Sequence, residues 1–164
     1  MHTHQFPVHD GILKLTFFAD NGVRVTHSAD GHEPQTLSVP QVPDLCSSVR
    51  RDDNAQRTRL EAPGLAVELE HATGRLSFFD ARGRRILAEA EQNARHTAPE
   101  TIAGHALTAR RQTFLFSGAD DTLHGLGHQL DAGWNFRGRS LDLLQENTTI
   151  VVPFLYNSAG YGLL

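Results

Sequence analysis

Residues 65–88 read LAVELEHATGRLSFFDARGRRILA, and the spacing within them decides the fold. Leu65, Val67 and Leu69 recur at every second position while Glu68 and Glu70 take the opposite parity. A period of two belongs to a strand with one face in a core. Ala72-Thr73-Gly74 supplies a turn, and residues 74–79 and 84–88 follow as a hairpin. Asp80-Ala81-Arg82-Gly83 joins its arms, with aspartate at the first and glycine at the last position, as a type I turn prefers. Upstream, Leu13, Leu15 and Phe17 alternate, then Val23 and Val25, across Asp20-Asn21-Gly22. Ser117-Gly118-Ala119-Asp120 marks a further turn. Short strands at this spacing predict an all-β, antiparallel β-sandwich.

Other stretches are less regular. Residues 29–59 carry Pro34, Pro40 and Pro43 with few apolar runs, which reads as a long crossover between sheets. Residues 87–95 have helix-forming composition but no apolar stripe to bury, so a turn or loop is expected there. Residues 112–117, 141–144 and 149–156 return to strand chemistry. The last is apolar on both faces, which predicts burial on both. His2 and His4 are read as a mobile terminus.

A chain of 164 residues is long enough for one domain with a core of its own. Its formal charge of -4 offers no basic field for a phosphate backbone, which argues against nucleic acid as a partner. No run approaches the roughly 18 apolar residues of a membrane span. The basic clusters Arg50, Arg51, Arg57, Arg59 and Arg82, Arg84, Arg85 are interleaved with Asp52, Asp53, Glu61, Asp80 and Glu89, as solvated strand faces are. Cys46 is the single cysteine, so no internal disulfide forms. Arginine outnumbers lysine fourteen to one, the mark of a GC-rich bacterial genome. The start, MHTHQFPVHD, has neither the basic nor the apolar segment of a signal peptide, and the compartment is left open.

Ten histidines invite a metal, and His124 and His128 have the spacing that would stack two imidazoles on a helix. Gly125 and Gly127 argue against a helix, and no cysteine or carboxylate completes a zinc-like set, so no metal site is assigned. Asp120 and Asp121 are read as turn residues bonding the local backbone, and Ser158 in Asn157-Ser158-Ala159-Gly160 as part of a tight turn. No catalytic residue is assigned. What remains is a loop in which Trp134, Asn135, Phe136 and Arg137 set flat apolar faces beside hydrogen-bonding tips, a mixture that suits a sugar. The alternative is that Trp134 packs under a neighbouring domain while Arg137 pairs with Asp131 or Asp142 to hold the loop.

Several segments together resemble the N-terminal β-sandwich domain of glycoside hydrolase family 31, the α-glucosidases and α-xylosidases. They are GRLSFFDARGRRILAE (74–89), RRQTFLFSGADD (110–121), DTLHGLGHQ (121–129), WNFRG (134–138) and LLQENTTIVVPFLYNSAGYGLL (143–164), with DGILKLTFFADNGVRVTHS (10–28) as a looser opening hairpin. The bacterial α-xylosidases are the nearest in flavour. Family members usually carry an aromatic residue where His124 stands and often an acid where His128 stands.

The resemblance implies a galactose-mutarotase-like supersandwich packed on a catalytic (β/α)8 barrel that would follow residue 164. Its retaining mechanism uses two aspartates about 5 to 5.5 Å apart, both on that barrel. No cofactor is implied. The implied partners are the chain's own barrel and, for the parent enzyme, an α-linked oligosaccharide. Residues 129–138 would face the pocket, with Trp134, Asn135, Phe136 and Arg137 nearest a sugar, and Asn157 and Tyr161 would hold the interface. A surface made to meet the barrel also predicts self-association of the chain alone. A free-standing carbohydrate-binding β-sandwich is the other reading.

Overall fold

The computed structural model describes residues 2–29, 31, 44–92, 94–129 and 133–164. Among them every regular element is a strand, so no helix is long and apolar enough to cross a membrane. The chain divides into two compact units, Met1–Ser117 and Gly118–Leu164.

The first unit opens with an antiparallel sheet of β1 (His2–Val8), β2 (Gly11–Ala19) and β3 (Gly22–Ser28). Leu13, Leu15 and Phe17 take one parity of β2 and are fully buried, as their alternation predicts. His2 and His4, expected in a mobile terminus, instead pair with Phe17 and Leu15 across the β1–β2 ladder. At the β2–β3 turn the Asp20 carboxylate accepts the Ser47 N–H and hydroxyl at 2.7 and 2.8 Å. Those two bonds hold its pKa below the usual carboxylate range. The Asp20 carbonyl also accepts the Gly64 N–H, so one turn residue ties down two other segments of the unit.

A six-stranded sheet follows, made of β4 (Arg50–Asp53), β5 (Arg57–Glu61), β6 (Leu65–Glu70), β7 (Leu76–Asp80), β8 (Arg85–Glu89) and β11 (Phe114–Phe116), in the order β11-β8-β7-β6-β5-β4. Its register sets Leu60 opposite Val67, Val67 opposite Phe78 and Phe78 opposite Leu87. All four are buried, so a continuous apolar stripe crosses four strands. Each such side chain contributes roughly 1.5–3 kcal/mol through burial. The β7–β8 turn is the one that its sequence predicts. Asp80 Oδ1 accepts the N–H groups of Arg82 and Arg84, both at 2.9 Å, and Gly83 takes a positive φ of 74°. These bonds, with the Arg84 guanidinium beside it, hold the Asp80 carboxyl below its usual range.

A further expectation fails in this unit. The crossover expected over residues 29–59 contains β4 and the start of β5; Pro34, Pro40 and Pro43 lie outside the described residues. β4 escapes a pattern reading because RRDD has no apolar residue, all four of its side chains being exposed. The loop expected within residues 87–95 is present at 90–92 and 94, after the end of β8, and it leads into an unforeseen hairpin of β9 (Arg95–Ile102) and β10 (His105–Gln112). These two strands form a sheet of their own. The Ala103-Gly104 connection has φ of 49° and 82°, so both residues are left-handed, as a two-residue type I′ hairpin turn requires.

The second unit holds β12 (Leu123–His128), β13 (Ile150–Asn157) and β14 (Tyr161–Leu163), in the order β12-β13-β14. Residues 141–144, expected to be a strand, have no regular structure. The β12–β13 ladder is interrupted, with Gly125 opposite Leu155 but Gly127 opposite Val151, so β13 bulges over its partner. Gly125, Leu126 and Gly127 take φ of 107°, 59° and 84° to follow it. β13 also departs from its expected burial on both faces. Ile150, Val152, Phe154 and Tyr156 are 55, 45, 42 and 46% exposed, an uncovered apolar row on one parity of the strand.

Candidate functional site

The loop carrying Trp134 is fastened to the start of β12 by its own side chains. Asn135 Oδ1 accepts the N–H of Leu123 and of Arg137, both at 3.0 Å, so this amide acts as a hub that closes the loop. The Phe136 N–H donates to the Leu123 carbonyl at 2.8 Å, and the Phe136 ring is buried. Arg137 is exposed, and its Nη1 donates to the Asp121 carbonyl at 3.0 Å. The expected partner Asp131 lies outside the described residues. Trp134 is 90% exposed. Of the four residues read as a binding set, Phe136 is thus a plug and Asn135 a hub, while Trp134 keeps its whole face in solvent.

His124 aims the same loop from the other side. Its Nδ1 meets the Trp134 carbonyl at 2.5 Å and its Nε2 meets the Thr122 hydroxyl at 2.8 Å. A carbonyl only accepts, so Nδ1 carries a proton and donates this bond. The ring stacks on Tyr156 with centroids 5.2 Å apart. His128 is spent elsewhere, its Nδ1 on the Thr148 carbonyl at 2.9 Å. The histidines considered as a metal pair therefore have separate structural partners. Thr148 has a φ of 72°, a strained value for a β-branched residue.

Asp121, Asn157 and Tyr161 form a second polar cluster in this unit. Asn157 is buried and donates from Nδ2 to Asp121 Oδ2 at 3.1 Å and to the Tyr161 hydroxyl at 2.9 Å. Its Oδ1 accepts the Ala159 N–H at 2.7 Å. Burial pushes the Tyr161 pKa up to about 12, with the Asp121 charge adding and Arg137 opposing. The phenol is therefore neutral at physiological pH. Asp121 serves this cluster through its carboxylate and the loop through its carbonyl, so one residue couples Asn157 to Arg137. Sequence reading placed Asp121 only as a turn residue, because both of its long-range partners depend on chain reversal.

The first unit has a cleft of about 330 Å3 lined by Phe6, Val8, Arg51, Asp53, Thr58 and His71, among others. Its polar groups are largely engaged with one another. The Thr58 hydroxyl lies 2.5 Å from Asp53 Oδ1 and 3.0 Å from His71 Nε2, and Arg51 Nε donates to Asp53 Oδ2 at 2.7 Å. The Arg51 hydrogen bond is the main reason that the Asp53 carboxyl sits below its usual range. Among the described residues, no three histidine, cysteine, aspartate or glutamate side chains gather as a metal would need.

No family model matches the chain. An uncharacterized family 31 glucosidase of Pseudescherichia vulneris is 25% identical over 177 residues, covering 93% of this chain and 32% of that protein. The crystal structure of the family 31 α-xylosidase of Xanthomonas citri superposes with a TM-score of 0.82 at 25% identity, covering 98% of this chain and 18% of its own. The chain is thus similar to one part of glycoside hydrolase family 31 proteins. A family 31 α-xylosidase from a soil metagenome, solved with xylose, shares the fold with a TM-score of 0.81 at 21% identity, over 96% of this chain and 26% of that one. The all-β antiparallel class and the family 31 resemblance of the sequence are thus both met. The chain spans about a third of the curated family 31 relative and a smaller share of the solved ones.

Proposed function

We propose that the chain is the non-catalytic N-terminal domain of a retaining α-glycosidase acting on α-xylosides or α-glucosides. It packs on a catalytic (β/α)8 barrel and lends residues 129–138 to the rim of the substrate pocket. The row of Ile150, Val152, Phe154 and Tyr156 carries this reading. A contiguous apolar surface of this kind marks an interaction site. Partial coverage supports it too, since nearly all of this chain corresponds to 18% of the Xanthomonas citri α-xylosidase. In this reading Trp134 and Arg137 approach the sugar, which their exposure supports, while Asn135 and Phe136 hold the loop.

The exposure of Trp134 favours a second reading, a free-standing carbohydrate-binding module. The chain has one tryptophan, so intrinsic fluorescence reports this residue alone. Titration with xylosyl and glucosyl oligosaccharides should leave the emission unchanged and release no sugar. A saturable change would establish the binding module instead, and turnover of an α-linked sugar would end both readings. The isolated chain should also self-associate through the β13 row, with Val152→Lys weakening association about tenfold or more in sedimentation, the worth of one large apolar contact.

A further inference from the structure

The β9–β10 ribbon is built unlike the rest of the first unit. From residue 96 to 111 its described side chains are exposed except Ala98 and Ala109, which are half-buried and directly opposite each other. Eight residues per strand give it a length of about 27 Å. A lone two-stranded ribbon in water is marginal. This one is held at its root by a buried carboxylate, beside the backbone bonds that Thr113 makes to Ala90 and Ala94.

Glu89, only 2% exposed, accepts the Leu76 N–H at 2.8 Å and Arg95 Nη2 at 3.1 Å on Oε2, and Gln112 Nε2 at 2.8 Å on Oε1. Arg95 and Gln112 are the register pair that begins and ends the ribbon. Arg95 Nη2 also donates to the Gly74 carbonyl. Both strands therefore hang from one buried anion, which is itself pinned to β7. Burying a charge is costly unless it is paired and bonded; both Glu89 oxygens meet that condition, while Arg95 Nη1 is buried with no hydrogen-bond partner.

We infer that the ribbon is a docking arm aimed by Glu89, and that its occupant is the remainder of a longer family 31 polypeptide. The inference rests on the domain reading above and adds the element that reaches the neighbour. Among the described side chains of the arm, Leu107 is the large apolar one that is exposed, beside His96, Glu100, His105, Arg110 and Arg111. Such a surface is too polar to hold a free protein tightly. It is sufficient for a tethered one, because domain interfaces within a chain are more polar than obligate ones and a short linker supplies a millimolar effective concentration. A second copy has the β13 row to use instead. The relatives carry the neighbour that this requires, most of their length lying outside the matched region.

Hydrogen exchange of residues 95–112 in the full-length polypeptide and in the 164-residue chain tests this. Ribbon amides should exchange at least about tenfold more slowly in the full-length protein. Leu107→Lys, which faces Glu100 across the ribbon and so leaves the hairpin paired, should abolish that difference while β6 and β7 stay protected. Glu89→Gln should speed ribbon exchange in both forms. Should that variant fail to fold, Gln112→Ala removes one bond of the root without stranding a charge and should act in the same direction. Equal exchange in the two forms overturns the docking, unchanged exchange in both root variants overturns the role of Glu89, and protection that rises with concentration of the short chain makes a second copy the occupant. A full-length protein that cleaves no α-xyloside or α-glucoside would sink the domain reading and still leave the exchange comparison decisive for the arm.

Discussion

Gly127→Ala should unfold the β12–β13 pairing. A Cβ at this position would stand 2.0 Å from the Ile150 carbonyl oxygen and 2.8 Å from the Val152 nitrogen, both backbone atoms that cannot swing aside. The left-handed φ of 84° adds about 1–2 kcal/mol for any side chain. Clash and strain together are expected to exceed about 3 kcal/mol, the range of severe single substitutions. The second unit has little to lose, since its buried residues among those described are Leu123, Phe136 and Asn157. Gly104→Ala is the matched control. Its φ is 82°, but nothing lies within 4 Å of the added carbon, so only the backbone term applies. Amide exchange across residues 123–128 and 150–157 should collapse in the first variant and stay intact in the second. Intact protection in Gly127→Ala would mean that the bulge can be rebuilt without glycine.

Phe17→Ala should destabilise the first unit by about 3–5 kcal/mol, the usual range for removing a buried phenylalanine. Phe17 is the largest fully buried side chain among the described residues and lies on the same strand parity as Leu13 and Leu15, opposite Val23 in the ladder. Phe18, one residue on, packs over Gly22 near the hairpin turn and is half-buried. Its alanine variant should therefore lose far less. Urea unfolding read at constant slope separates the two. Equal midpoint shifts for both variants would show that the β2 alternation does not define the core.

The sequence makes some of this molecule plain and hides the rest for physical reasons. β6, β7 and β8 are legible because their alternation and the Asp80 turn state the same answer twice. The β9–β10 ribbon is invisible to the same reading. With both faces in solvent it needs no apolar alternation, and alanine at the left-handed position of its turn is not a turn signal. β13 is misread in the opposite sense, because an apolar strand reports that it will be covered but not what covers it. At the loop, the Trp134 cluster is recognisable by composition. The division of labour within it is not, since Asn135 meets Leu123 only after the chain has turned back over twelve residues.

β4 ends the six-stranded sheet with RRDD, its side chains exposed and its arginines bonded at 2.6 Å to Glu61 and 2.7 Å to Asp53. The opposite border, β11, is three residues long. A charged margin on one side and a stub on the other leave this sheet no long bare edge where a foreign strand could zip on and seed fibrils. Strand-by-strand, amyloid-type growth is therefore blocked at both margins of the six-stranded sheet.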